Sequence, residues 1–318
     1  MRFLLTREQS DFARSLDAML TSADTPAVVR AWESGDHGPG REVWRRVAEA
    51  GVFALAVPEE HEGVGLLPVE LVVAFRELGR HAVPGPYVET VAAAVLLAGS
   101  PGLAKEWLPR IAAGRAMVTL AEEGGYALDA DAAEAVFVLG ARPAVLPPGG
   151  ALRVSSDAAR RLFAVTPAAG AGEALPVPVA SVVAARESAM LLTAAQALGV
   201  GDALLARTVS YVKQRTQFGT PIGSFQAVKH RLADTLVGLE FARPLVYGAA
   251  LSRAGADVAA AKVTAGEAAY AAGRTALQLH GAVGYTQELD LSLWLRKTGP
   301  LRDAWGRPGD CRGRVLEG

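Results

Sequence analysis

The chain has 318 residues, of which 51% are hydrophobic, and its 32 basic side chains nearly balance its 33 acidic ones. This length allows two or three modules that share a large core, and the balanced charge argues against a nucleic-acid-binding surface. The single cysteine, Cys311, excludes an internal disulfide framework and a cysteine-ligated metal site, which suits a reducing cytoplasm. The sequence predicts no signal peptide, because the N-terminus carries charge after only a short apolar run. It also predicts no membrane-spanning helix, because no segment approaches 18 uncharged apolar residues.

Residues 1–115 carry a helical pattern. Thr6 followed by Gln9 resembles a capping box that opens the first helix. Apolar residues recur at helical spacing from Val43 to Leu55 and again from Val69 to Val83. A loop rich in proline and glycine separates these two runs. The pattern predicts an N-terminal helical domain.

Residues 116–183 have a different texture. Short β-prone runs alternate with glycine and proline clusters, which predicts a small antiparallel module. The runs are AMVTLAE (116–122), EAVFVLG (134–140), ALRVSS (151–156) and RLFAVTP (161–167). From residue 184 to residue 318 the helical pattern returns, with helices predicted at Ala185–Lys213, Ser224–Ala254, Ala256–His280 and Leu289–Lys297.

Two segments of the last region carry a known signature. Residues 215–234, RTQFGTPIGSFQAVKHRLAD, closely resemble a signature of the acyl-CoA dehydrogenase family, and residues 277–288, LQLHGAVGYTQE, resemble the second C-terminal signature of that family. The stretches LTREQSDFARSL and GVFALAVPEEHEGVG resemble its N-terminal domain. The resemblance implies a mainly α fold with an N-terminal helical domain (1–115), a shortened middle β domain (116–183) and a C-terminal four-helix bundle (184–318).

The resemblance implies that these signatures hold FAD across a subunit interface, and the residue types suit a pyrophosphate. Arg215 offers a fork of charged donors, while Gln226 offers an amide at the start of a helix, where the dipole favours an anion. Without the resemblance, such polar groups are ordinarily caps or solvated side chains. The positions that match the family's FAD contacts are Arg215, Gln217, Phe218, Gln226, Gln278 and Gly281. One departure is Ala282, which replaces the second glycine of the family's usual pair.

The catalytic glutamate of the family is missing. In that family a carboxylate removes the α-proton of the thioester while hydride leaves the β-carbon for the flavin. Aligning Arg296 with the family's arginine puts Trp305, before Gly306, where the glutamate would stand. A tryptophan cannot accept a proton.

A second position used by some relatives is empty as well. Those relatives carry the glutamate on the first C-terminal helix, where this chain has Ala189 and Met190. Glu187 is two residues away, which is about 200° of helix rotation and aims it elsewhere. Glu187 is therefore a weak candidate base.

The middle domain lacks much of the flavin site that the resemblance implies. The nearest match, VTLAEEGGYALDADAAEAVFVL, keeps Thr119 and Glu122 or Glu123, but the proline, the following turn and the tryptophan strand are missing. Residues that would serve a neighbour's flavin are present, whereas those that would serve the chain's own flavin are absent. This pattern resembles the non-catalytic subunit of heteromeric actinobacterial acyl-CoA dehydrogenases, in which two unlike chains form α2β2 tetramers.

Three hypotheses follow. The first is a subunit that contributes FAD contacts in trans to a catalytic acyl-CoA dehydrogenase subunit. The second is a self-sufficient homo-oligomeric dehydrogenase with a relocated base, for which Glu187, Asp303 and Asp310 are the candidates. The third is a flavin-free scaffold or binding protein on the same fold. His230 and His280 lack a partner at metal spacing, so they are predicted to be structural hydrogen-bonding groups.

Overall fold

The structure, a computed structural model, describes residues 4–165, 172–286 and 289–317. The last two residues of RLFAVTP and of LQLHGAVGYTQE lie outside the described residues. Most of the described chain is helical and the strands are short, as the sequence predicts.

The chain divides into two compact units. The helical unit comprises Met1–Ala13, Val72–Ala82 and Thr193–Gly318, and the mixed unit comprises Arg14–Leu71 and Val83–Leu192. The strands of the two larger sheets all belong to the mixed unit. The division into three domains stays a prediction.

The helices of the described residues come in two groups along the chain. The first group is α1 (Arg7–Thr21), α2 (Thr25–Glu33), α3 (Gly38–Glu49), α4 (Pro68–Arg80), α5 (Tyr87–Leu97) and α6 (Pro101–Ala112). The second group is α7 (Val179–Gln214), α8 (Gln226–Ser252), α9 (Gly255–His280), α10 (Leu291–Asp303) and α11 (Pro308–Glu317). The sequence did not predict α11, whose short glycine- and arginine-rich stretch carries little periodicity.

The predicted capping box at the start of α1 is confirmed. The backbone N–H of Thr6 donates to Gln9 Oε1 at 3.0 Å, and the backbone N–H of Gln9 donates to Thr6 Oγ1 at 3.2 Å. Two donors that the helix cannot satisfy internally are paired in this way. Local sequence alone fixes this helix start.

The predicted helix from Val43 to Leu55 is wrong at its C-terminal end. α3 ends at Glu49, and Gly51 takes a left-handed φ of 81°, which ends the helix. The chain then forms a short 3-10 turn at Phe53–Ala56. The apolar residues keep their helical spacing across Gly51 because α3 and the 3-10 turn both bury them. The glycine, rather than the spacing, indicates where the helix ends.

The strands of the mixed unit form two sheets. They are β1 (Val118–Glu122), β2 (Tyr126–Leu128), β3 (Ala135–Leu139), β4 (Ala144–Leu146), β5 (Leu152–Arg153), β6 (Leu162–Ala164) and β7 (Glu173–Ala174). One sheet has the order β1-β3-β4-β7 and the other β2-β6-β5.

The prediction of an antiparallel module is wrong for one pair, because β1 and β3 run parallel. β2 lies in the other sheet, so it acts as the crossover that brings the chain back to the same end. The five residues of β3, AVFVL, are all buried. A continuous apolar run of this kind is typical of a parallel strand that is covered on both faces.

The turn after β2 is held by a buried carboxyl group. Asp129 is fully buried with a φ of 53°, and its Oδ1 accepts a hydrogen bond of 3.0 Å from Trp32 Nε1 of α2. Its Oδ2 has no hydrogen-bond partner among the residues that the structure describes, and burial raises the pKa of Asp129 to about 8. Arg41 of α3 reinforces the same turn by donating to the carbonyl of Ala132 at 2.6 Å. The turn therefore joins α2 and α3 to the strands.

The helical unit is built around α7, α8 and α9. The hydroxyl groups of Thr235 on α8 and Thr275 on α9 are hydrogen-bonded at 3.1 Å, which links these two adjacent helices. Trp294 of α10 is buried, and its indole N–H donates to the carbonyl of Arg80 at 2.8 Å. The guanidinium carbon of Arg207, on α7, lies 3.7 Å from the centre of the Trp294 ring. These contacts fix α10 in the unit.

α7 is long and apolar enough to cross a membrane by length and composition. However, 83% of its most apolar 18-residue window is buried inside the protein. A helix that is covered on most sides by its own protein reads as a core helix.

Candidate functional site

The polar segment between α7 and α8 forms a small hairpin, which we call the elbow hairpin (residues 215–222). Strands β8 (Thr216–Gln217) and β9 (Thr220–Pro221) pair antiparallel. Phe218 and Gly219 form the turn with φ values of 54° and 75°, the signs that a two-residue type I′ turn requires. The backbone N–H of Ile222 donates to the carbonyl of Arg215 at 2.8 Å and closes the base of the hairpin.

Phe218 lies at the tip of the elbow hairpin in an unfavourable backbone conformation. A bulky residue with positive φ is a genuine conformational outlier, and the Phe218 side chain is also 93% exposed. Backbone strain of this kind tends to occur at functional sites. An exposed ring held in a strained turn therefore points to a ligand or partner that covers it.

The predicted donors of the first signature are free to face a ligand. Arg215, Gln217 and Gln226 are all exposed. Among the described residues, the only side-chain hydrogen bond of the three is a local one of 2.9 Å from Gln217 Nε2 to the carbonyl of Thr216. Gln226 is the first residue of α8, whose N-terminus has no side-chain cap. The N-terminal N–H groups of α8 therefore add a partial positive charge beside the arginine.

Three further cations, which were not predicted as site residues, lie near the elbow hairpin in sequence. Lys213, Lys229 and Arg231 are exposed, and no ion pair engages them within residues 4–165, 172–286 and 289–317. They flank Arg215 on the last turn of α7 and the first turns of α8. These exposed cations add positive charge to the segments on either side of the hairpin, although the chain as a whole is nearly neutral.

The second signature begins at the C-terminus of α9. Gln278 is exposed on the last turn, and Gly281 has a φ of 62° and a ψ of −139°. Only glycine adopts this conformation readily, and the space beside its α-carbon is open. Ala282 is not among the residues with positive φ. The first glycine of the family's pair is therefore required by the backbone, whereas alanine is tolerated at the second.

The structure brings the two signatures together through α7. Tyr211, on the last turn of α7, stacks on His280, the last residue of α9, with ring centres 4.1 Å apart and planes 23° apart. The carbonyl of Tyr211 accepts a hydrogen bond of 2.9 Å from the backbone N–H of Arg215. His280 directly precedes Gly281. All six predicted cofactor-binding positions therefore lie in one region of the helical unit.

His280 has the structural role that the sequence predicts. It is buried, and its Nδ1 lies 2.8 Å from the carbonyl of Ala276. A carbonyl only accepts, so Nδ1 carries the proton and donates. Burial lowers the pKa of His280, so the ring is neutral at neutral pH.

Trp305 lies in the loop between α10 and α11, with a φ of 56°. The buried ammonium of Lys262 stabilises the loop, because it donates to the carbonyls of Arg302 at 2.8 Å and Gly306 at 3.1 Å. The two carboxylates nearest in sequence, Asp303 and Asp310, are exposed. This arrangement supplies no buried carboxylate next to Trp305 in sequence that could act as a base.

The alternative base positions on α7 are also without a suitable group. Ala189 and Met190 are buried apolar residues. Glu187 is partly buried on the same helix. Within the described part of the chain, no hydrogen bond or ion pair engages Glu187, as is common for a surface carboxylate.

Two residues that match the family's flavin site in the mixed unit, Thr119 and Glu122, are closed off or already paired, whereas Glu123 is exposed. Thr119 is fully buried on β1, so its hydroxyl is closed to any ligand from outside. Glu122, at the end of β1, is engaged by Arg186 through hydrogen bonds of 2.6 Å and 2.9 Å. Such a bidentate pair uses the carboxylate that a ligand would need. By contrast, the donors of the elbow hairpin are exposed and suit a diphosphate.

An exposed apolar surface lies on the helix that follows the elbow hairpin. We call it the α8 face; it includes Val237, Phe241 and Leu245, which recur every four residues and are 51%, 71% and 43% exposed. Residues four apart lie on one side of a helix, and large contiguous apolar surfaces mark interaction sites. This surface could not be predicted from the sequence, because helical spacing alone does not distinguish a helix side that faces the core from one that is uncovered.

The sequence matches known protein families in two regions. Residues 6–115 match the acyl-CoA dehydrogenase N-terminal domain, and residues 187–304 match the acyl-CoA dehydrogenase C-terminal domain. The acyl-CoA dehydrogenase IpdE2 of Mycobacterium tuberculosis is 32% identical over 86% of this chain and 85% of its own length. The IpdE2 protein of Mycolicibacterium smegmatis is 30% identical over 96% of each chain.

Solved structures give the same result for the fold. A steroid acyl-CoA dehydrogenase variant, Tcur3481-Tcur3483, aligns with a TM-score of 0.87 at 23% identity over 98% of this chain and 97% of that one. The ChsE4-ChsE5 complex from Mycobacterium tuberculosis aligns with a TM-score of 0.82 at 25% identity over 100% of this chain and 97% of the matched chain. The chain therefore belongs to the acyl-CoA dehydrogenase family.

Proposed function

We propose that the chain is a subunit of a flavin-dependent acyl-CoA dehydrogenase that supplies FAD contacts to a catalytic partner and carries no base of its own. One observation supports this most directly. The donors of both signatures are exposed and gathered in one region, whereas Thr119 and Glu122 are closed off or already paired. Outward-facing donors, together with a buried Thr119 and a paired Glu122, suit a cofactor that is housed in another subunit.

The residues that would hold FAD have separate tasks. When bound, FAD supplies the acceptor for the hydride that leaves the acyl thioester. Arg215 would bind the pyrophosphate as a charged fork, and Gln226 with the first N–H groups of α8 would complete the anion site. Gln278 and the turn at Gly281 would add an amide and backbone donors. Phe218 would pack against a ring of the cofactor.

The α8 face supports the presence of a partner subunit. Phe241 and its neighbours would be covered in an assembly, because an uncovered apolar row on a helix favours association. The occupant we propose is a longer acyl-CoA dehydrogenase chain that carries the catalytic glutamate. The ChsE4-ChsE5 relative is itself described as a complex of two named chains, which favours this occupant over a second copy.

Co-expression tests the proposal. We expect the chain purified alone to be colourless, and co-expression with a longer homologue that carries the glutamate to give a yellow complex that oxidises an acyl-CoA. Absorbance in the flavin bands and size-exclusion chromatography give the readout. Full flavin occupancy and turnover by the chain alone would favour the self-sufficient dehydrogenase. A complex without flavin in any assembly would favour the scaffold protein.

Replacing Phe218 with asparagine should separate strain from binding. Asparagine followed by glycine is the preferred sequence of a type I′ turn, so we expect the free energy of unfolding of the chain to rise by up to about 1 kcal/mol. Loss of the ring should nevertheless weaken flavin retention in the complex by roughly 2- to 12-fold. Thermal unfolding and flavin titration measure the two effects.

Phe218→Tyr is the matched control, since it keeps the ring and the strained backbone, and it should behave like the parent chain in both assays. Unchanged flavin retention in Phe218→Asn would contradict a ring contact.

A further inference from the structure

The last turn of α7 touches both segments that carry the proposed flavin contacts. Val212 lies against Gly223, which directly follows the elbow hairpin in the first signature, since an added Cβ at Gly223 would meet the Val212 carbonyl oxygen at 3.0 Å. Tyr211, the preceding residue, stacks on His280 beside the second signature. Two consecutive residues thus contact the two separate segments.

The His280 side of this contact is rigid. The Nδ1–H of His280 donates to the carbonyl of Ala276 within the same helix, which fixes the orientation of the ring. The turn after Gly281 folds back over the histidine, because an added Cβ at Gly284 would lie 3.1 Å from the His280 Cβ. The imidazole is therefore oriented by its own helix and covered on one face by Tyr211, and the signature turn packs against the Cβ of His280.

On the other side of the stack, Tyr211 is hydrogen-bonded through its backbone to the first residue of the elbow hairpin. The Tyr211 carbonyl accepts the backbone N–H of Arg215, so any shift of Tyr211 moves the base of the elbow hairpin. The ring contact at 4.1 Å with nearly parallel planes has the geometry of a stacked pair. Neither ring is among the proposed cofactor contacts.

We propose that the Tyr211–His280 stack is a positioning pair that fixes the distance between the elbow hairpin and the second-signature turn. This inference rests on the proposed function. It states how the two segments that carry the proposed flavin contacts are held together as one binding surface. Donors that are held in place before a ligand arrives bind it at a lower entropic cost. Without the stack, the donors of both segments remain present but their spacing varies.

A distance measurement tests the pair without any flavin. Nitroxide labels at Thr216→Cys and Ala282→Cys, both exposed positions, report the spacing of the two segments in the isolated chain by pulsed electron paramagnetic resonance. We expect a narrow distance distribution in the parent and in Tyr211→Phe, which keeps the stack. The distribution should broaden in Tyr211→Leu, which keeps apolar bulk but no ring, and in His280→Ala. An unchanged distribution in both would overturn the proposal.

Flavin binding in the co-expressed complex provides the second readout. We expect Tyr211→Leu and His280→Ala each to weaken flavin binding by about 2- to 12-fold, and the double variant to be no weaker than the worse single one, because both remove one contact. Fully additive losses would contradict a shared role. If even the parent complex holds no flavin, the proposed function fails, whereas the label distances still decide the role of the stack.

Discussion

Replacing Arg215 with methionine should lower the flavin affinity of the assembled complex by roughly 10- to 150-fold. Hydrogen bonds to charged groups contribute about 1.5–3 kcal/mol, and methionine keeps the length of the side chain without its charge or donors. Arg215 is exposed and has no ion pair among the described residues, so its loss leaves no buried group unpaired. Flavin released during equilibrium dialysis of the purified complex measures the effect.

Two matched variants locate the cause of that loss. Arg215→Lys keeps the charge but not the planar fork, so it should fall between the parent and the methionine variant. Phe241→Glu puts a charge on the α8 face and should dissociate the subunits, with flavin lost as a consequence. The methionine variant must stay associated on size-exclusion chromatography. Parent-like flavin retention in Arg215→Met would rule out a pyrophosphate contact.

Replacing Asp129 with asparagine should abolish the decrease in the free energy of unfolding that the parent chain shows as the pH rises. Burial raises the pKa of Asp129 to about 8, above its value in an unfolded chain. The neutral carboxyl therefore contributes stability that is complete below about pH 4 and disappears as the pH approaches 8. The expected slope is about 1.4 kcal/mol per pH unit within that window. Asparagine also tolerates the left-handed φ of this position.

Chemical denaturation at pH 5, 6, 7 and 8 measures this effect as the difference between parent and variant. The free energy of unfolding of the asparagine variant should rise relative to that of the parent at each pH step. The total rise should be on the order of a few kcal/mol. Asp131→Asn serves as the control, because Asp131 is paired with Arg161 at 2.6 Å and its replacement should destabilise the chain. A constant difference between parent and Asp129→Asn across this range would show that Asp129 is ionised throughout.

The extent to which the sequence predicted the fold depended on the range of the interactions. The capping box of Thr6 and Gln9 and the start of α9 need only neighbouring residues, and the structure agrees with both. The end of α3 was predicted wrongly because Gly51 ends the helix while buried apolar residues continue on both sides. The parallel pairing of β1 and β3 escaped prediction because strand order depends on where the chain returns after β2.

For the candidate site, the sequence by itself determined the family, the six proposed contact positions and the absence of a glutamate at Trp305, because each depends on residue type in a recognisable order. Only the tertiary structure decided that both signatures meet at Tyr211 and His280, that Glu122 is already engaged by Arg186, and that the α8 face is uncovered. The physical reason is that a side chain's availability depends on which distant residues pack against it. Residue type states what a group can do, and packing decides whether that group is buried, paired or free to bind.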